Sequence, residues 1–188
     1  MLKKITILLI TISSIGCQEK TPQTKNYDQE IAALNTPAKL VDYYTQIYTS
    51  DQIVRGDAES KILQEHGRDS KEYRELFELR QKTDKANLAR IEKLYAKYGY
   101  PKTKEVGELA ASAPWAVVHH AGSLEDRLRA FPIMREGYKI GEIDDSAFSM
   151  YLNRTYEHQN NGKRLRMNGT FKTKTQIDSL LTLLNLEL

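Results

Sequence analysis

A single cysteine, Cys17, stands among the 188 residues. That excludes an intramolecular disulfide and any zinc site built on several thiolates. The longest apolar run, Ile5 to Ile12, is broken by Thr6 and Thr11. It is far short of the roughly 18 residues that suggest a membrane-spanning helix. Charge of one sign is also lacking: Lys and Arg number 28 and Asp and Glu 25, a formal +3. Without Lys3 and Lys4 the balance is 26 to 25, or +1, which is no electrostatic footprint for nucleic acid. The sequence has no phosphate-cradling glycine loop, no dinucleotide-binding glycine pattern, no G-x-S-x-G elbow and no H-E-x-x-H. No metal and no cofactor are therefore expected, and a thiol nucleophile is not expected either.

The first residues carry an address. Lys3 and Lys4 precede the apolar run, and Ser13, Ser14 and Gly16 lead into Cys17. This is the layout of a cleaved secretory signal. It resembles a bacterial lipoprotein signal, in which the cysteine is acylated and becomes the new N-terminus. Ser14 departs from the aliphatic residue usual at that place. The resemblance implies a signal peptide over 1–16 and a bilayer anchor at Cys17. With Gln18 rather than Asp after the cysteine, it implies the outer membrane. Residues 17–36, rich in Lys, Gln and Thr, read as the lipidated N-terminus and a flexible tether.

Residues 37–188 read as one mainly α domain of the α+β class. Pro37 suits a first helical turn, and Leu40, Tyr43, Tyr44, Ile47 and Tyr48 recur at helical spacing toward Arg55. Ser70 caps a long helix that Gly99 and Pro101 stop. Ser112, Pro114 and Trp115 open a helix running toward Phe131, and Asp144 and Asp145 start another through about Arg154. The alternation from Thr155 to Phe171 around Asn160-Asn161-Gly162 predicts a small β-hairpin. Its Lys163, Arg164 and Arg166 read as a solvated, charge-protected edge. Thr175 to Leu186 predicts a final helix with Ile177, Leu180, Leu181 and Leu184 on one face.

Polar residues interrupt the apolar stripes. On the long helix Tyr73, Leu76, Phe77, Leu88, Ile91, Leu94 and Tyr95 share a face, and Arg80, Asp84 and Asn87 fall in its middle. On the first helix Asp51 falls on the stripe, with Arg55 beside it. His120 borders the apolar face of the third helix, and His119 points to the other side. A buried carboxylate must be partnered, so two readings stand side by side. One is a sealed structural network. The other is a polar pocket between helices, lined by Asp51, Asp84, Asn87 and His120 with an arginine for an anion.

At these residues the chain resembles a family of small bacterial domains of unknown function, often secreted or lipid-anchored. The matching pieces are DQIVR (51–55), DKANLARIEKLYAKYGYP (84–101), WAVVHHA (115–121), YLNR (151–154) and GK followed by NGT (162–163, 168–170). The resemblance marks Asp51, Arg55, Asp84, Asn87, Trp115, His120 and Arg154 as motif positions and supplies no reaction. Asn153 stands where relatives carry Asp, and Phe171 where Gln is common. The expected role is that of a lipid-anchored envelope module for binding or interaction, its protein or small-molecule partner undefined. The other reading is a hydrolase-like enzyme. In it His120 is the acid/base, held by Asp51 or Asp84, and Arg55, Arg80 or Arg154 grips an anionic group.

Overall fold

In the computed structural model, which describes residues 27–163, 165 and 174–188, every regular element is a helix. The signal segment and Cys17 lie outside the described residues. Chain order gives α1 (Tyr27–Ala32), α2 (Pro37–Ile53), α3 (Asp57–Glu65), α4 (Lys71–Tyr98), α5 (Thr103–Val106) and α6 (Glu108–Ala111). They are followed by α7 (Ala113–His120), α8 (Leu124–Arg129), α9 (Phe131–Lys139), α10 (Asp145–Gln159) and α11 (Lys174–Leu184). No described helix is long and apolar enough to cross a membrane.

The helix boundaries follow local chemistry. Thr36 Oγ1 accepts from Lys39 N at the start of α2, with Pro37 in the first turn. Ser70 caps α4 through Tyr73 N, and Gly99, at φ 71°, ends it. Asp144 caps α10 through Ala147 N.

The short helix α7 is the hub. Ala113, Ala116, Val117 and Val118 are all buried. It packs against α2 and α4 on one side and against α9 and α10 on the other. Tyr44, Ile47, Leu88, Ile91 and Leu94 fill the first interface. Met134, Phe148, Tyr151 and Leu152 fill the second, and α11 closes it with Ile177, Leu180, Leu181 and Leu184. Each such fully buried side chain contributes about 1.5–3 kcal/mol of transfer free energy.

Three expectations are corrected. The hairpin over 155–171 is not formed where it can be examined: Thr155 to Gln159 continue α10, and no strand occurs among the described residues. Phe148, Tyr151, Leu152 and Thr155 share one buried helical face, and that spacing overrides the loose alternation. Asn161 (φ 54°) and Gly162 (φ 83°) turn the chain after the helix, not between strands. Arg164 and 166–173 lie outside the described residues.

Second, residues 27–34 of the expected tether are packed on the domain. Helix α1 packs on α4 with Ile31 buried, Lys97 Nζ donating to Ile31 O and Tyr98 Oη to Leu34 O.

Third, the helix expected from Ser112 to Phe131 is two helices. It breaks at Ala121-Gly122-Ser123, where Ser123 caps α8 through Asp126 N, and Pro132 opens α9 instead of ending a helix. Phe77, expected on the buried stripe of α4, is 47% exposed, whereas Leu76 beside it is buried.

Candidate functional site

The last turns of α2, the middle of α4 and the C-terminal turn of α7 meet around one carboxylate. Asp51, on the inward face of α2, is fully buried. Its Oδ2 accepts from Gln52 Nε2 at 2.7 Å, and its Oδ1 accepts from Arg55 Nη1 at 3.1 Å. His120 Nδ1 lies 2.9 Å from Oδ2 and 3.1 Å from Oδ1. A carboxylate offers only acceptors, so Nδ1 carries the proton and donates. Nε2 has no hydrogen bond among the described residues.

Arg55 joins this pair to α4. It sits in the turn after α2, where Gly56 (φ 60°) redirects the chain into α3, and its guanidinium folds back. Nη2 donates to Asp84 Oδ1 at 2.6 Å. The result is a connected row, His120, Asp51, Arg55 and Asp84, contributed by three helices and one turn. Burial is uneven along it. The Asp51 side chain is sealed at 0% exposure, whereas Asp84, Arg55 and His120 retain 15, 16 and 19%.

Burial pushes the Asp84 carboxyl above its ordinary range, against the hydrogen bond and charge of Arg55, which pull it down. Its outer side borders a cleft of about 210 Å³ between α4 and the Ala121–Ser123 break, shared with Lys85, Gly122, Ser123 and Asp126. The row presents a partly exposed imidazole at His120, a sealed carboxylate at Asp51, a fixed cation at Arg55 and a partly exposed carboxyl at Asp84.

The other expected residues do different things. Asn87 is buried, and its Nδ2 donates to Ser50 Oγ at 3.0 Å, pinning α4 to α2 one turn from the row. Arg80 is not brought to the row: it donates to Val54 O and pairs with Glu59 at 2.9 Å, clamping α3. Trp115 donates from Nε1 to Ala147 O and stacks on His119, ring centres 5.0 Å apart. Arg154 is exposed on α10 and does not reach Asp51 or Asp84. Asn153 keeps its Oδ1 buried without a partner.

His119 and His120 diverge as their spacing on α7 requires. The His119 Nδ1 is buried without a hydrogen bond. Burial, aided by the charges of His120, Arg127 and Arg154, pushes its pKa down to about 3.

One residue escaped the sequence reading altogether. Arg127, on α8, is fully buried with no acidic partner among its hydrogen bonds. Nη1 donates to His119 O at 2.8 Å and Ala121 O at 3.3 Å, Nη2 to Tyr151 O at 3.0 Å and Nε to Thr155 Oγ1 at 3.0 Å. It satisfies carbonyls at the C-terminus of α7, where the helix dipole favours a cation. A six-residue amphipathic helix gives no periodicity that would single it out. Gln52 stood inside a quoted motif and is the third donor to Asp51.

No group of three or more His, Cys, Asp or Glu side chains that could hold a metal ion occurs among the described residues. No family model, curated protein or solved structure matches the chain, and the row's own geometry is the ground on which a function can be argued.

Proposed function

We propose that the chain is a lipid-anchored cell-envelope protein, held at the outer membrane through acylated Cys17, whose α2–α4–α7 row binds a small polar ligand. The observation that carries the binding site is the contrast within the row. A sealed carboxylate fixes the imidazole by Nδ1 and leaves Nε2 without a partner among the described residues, on a partly exposed side chain. A purely structural ion pair has no need of an unengaged acceptor at its outer end. The address rests on the signal pattern and on Cys17 as the sole thiol.

A second reading is supported by Asp84, a raised carboxyl within the same row as a carboxylate-held histidine. Paired groups of that kind suit acid–base chemistry, with His120 Nε2 as base and Asp84 as acid. No metal enters either reading.

Three experiments test these readings. Fatty-acid labelling of the expressed protein disappears in Cys17→Ser; labelling that persists refutes the anchor. Hydrolysis of p-nitrophenyl acetate by the purified chain separates enzyme from binding module. Turnover lost in His120→Ala and kept in His119→Ala supports the enzyme. Equal background rates in all three proteins leave the binding reading. That reading in turn requires 15N spectra to show His120 protonated at Nδ1, and an Nε2-protonated His120 would remove it.

A further inference from the structure

Away from the row, between α1 and α5, the surface carries an open apolar groove of about 590 Å³. Leu34, Pro37, Leu40, Tyr98 and Val106 line it. Exposed lysines adjoin that lining along the chain: Lys39 between Pro37 and Leu40, Lys97 beside Tyr98, and Lys102 and Lys104 ahead of Val106. The Lys97 ammonium lies over the Tyr98 ring at 4.9 Å from its centre and donates to Ile31 O. Glu105 also lines the groove and pairs with Lys102 at 3.6 Å, and Glu108 is exposed on α6. On α6, Leu109 is 49% exposed.

The position of the groove in the chain says what it faces. Cys17 precedes the first residue of α1, Tyr27, by ten positions. Fully extended, that stretch reaches at most about 36 Å. The groove begins at Leu34, directly after α1, and Tyr98 Oη donates to Leu34 O at its edge. An anchor at Cys17 therefore keeps this face within reach of the bilayer.

We propose that the groove is a membrane-docking face that rests on an anionic lipid surface. Leu34, Pro37, Leu40 and Val106 enter the headgroup boundary, Tyr98 lies at the interface, and the four lysines meet lipid phosphates. The proposal rests on the anchored reading of Cys17, and it supplies the second attachment that lipid-held proteins use beside their acyl chains. A consequence is orientation: the domain stands on its α1–α5 end.

The test uses the chain from residue 17 with Cys17→Ser, which carries no lipid, so groove and anchor are measured apart. It is sedimented with vesicles of phosphatidylcholine alone or mixed with phosphatidylglycerol. The expected result is salt-sensitive binding to the mixed vesicles and little to the neutral ones. Replacing Lys39, Lys102 and Lys104 together by Gln lowers the partition about fivefold per lysine, on the order of a hundredfold in all. Leu34→Glu weakens binding independently of the lysines, and thermal melting of each variant verifies folding. The proposal is overturned by three results: absence of binding to mixed vesicles, equal binding by the lysine variant, or a concentration-dependent dimer that Leu34→Glu dissolves. Loss of the groove result leaves the fatty-acid labelling untouched, and loss of labelling leaves the groove result untouched.

Discussion

Two buried charges flank the last turn of α7, and they are satisfied in opposite ways. Arg127 is closed on every side: its bonds go to backbone carbonyls and one threonine hydroxyl, none of which can change charge. Asp51 is just as buried, but it hands its charge on to Arg55 and His120, which reach the surface. Burial alone therefore does not separate a structural charge from a functional one. The partners do: a terminus made of carbonyls is a clamp, and a terminus made of titratable side chains is a route to solvent.

The largest effect belongs to the clamp. Arg127→Met leaves the carbonyls of His119, Ala121 and Tyr151 without their donor, and is expected to cost about 3–5 kcal/mol by chemical denaturation. Arg127→Lys keeps the charge without the fork and falls between. If Arg127→Met is no more damaging than a change at Asp84, the contrast between the two regions collapses.

On the other side the cost should follow exposure. Asp51→Ala removes the acceptor shared by Gln52, Arg55 and His120, and is expected to cost about 2–3 kcal/mol, since Arg55 retains Asp84. Asp84→Leu should cost only about 1 kcal/mol, because its side chain is partly solvated and Arg55 retains Asp51. Urea titrations of the two variants order them, and the reverse order would make Asp84 the structural centre.

The smallest effect sharpens the boundary between the regions. Native His119 resists protonation to about pH 3, while the unfolded chain takes up that proton near 6.5. Its depressed pKa stabilises the fold above pH 6.5, and that stability drains as pH falls toward 3. His158, also depressed, acts in the same direction, and Asp84, raised, opposes it. His119→Phe keeps an aromatic ring against Trp115 and removes the orphaned nitrogen. Its stability at pH 7 should match or slightly exceed the parent's, and its profile from pH 7 to 4 should be flatter. An unchanged slope would assign the acid sensitivity to other groups.

These differences explain what could be read in advance. Asp51 was legible because a carboxylate in the middle of an aliphatic stripe on a 17-residue helix breaks a long pattern. The first turn at Pro37, the cap Ser70, the start at Asp144 and the stop at Gly99 were legible because their chemistry is local, whereas the Thr36 cap was read as tether. The break after Ala121 was not, since the apolar spacing of Val117, Leu124 and Leu128 continues across it. That hid α8 and, with it, Arg127. Phe77 fits a stripe by spacing, but spacing does not say whether another helix arrives to cover it. Thr155 has the β preference of a strand residue and is held in α10 by its bonds to Tyr151 O and Arg127.

The last turn of α7 has a further consequence. Its backbone is held through His119 O and Ala121 O by Arg127, while its side chain at position 120 is held by Asp51. The imidazole therefore has little rotational freedom left to lose when something approaches Nε2. In the binding reading proposed above, an encounter at Nε2 would spend little entropy on arranging the histidine.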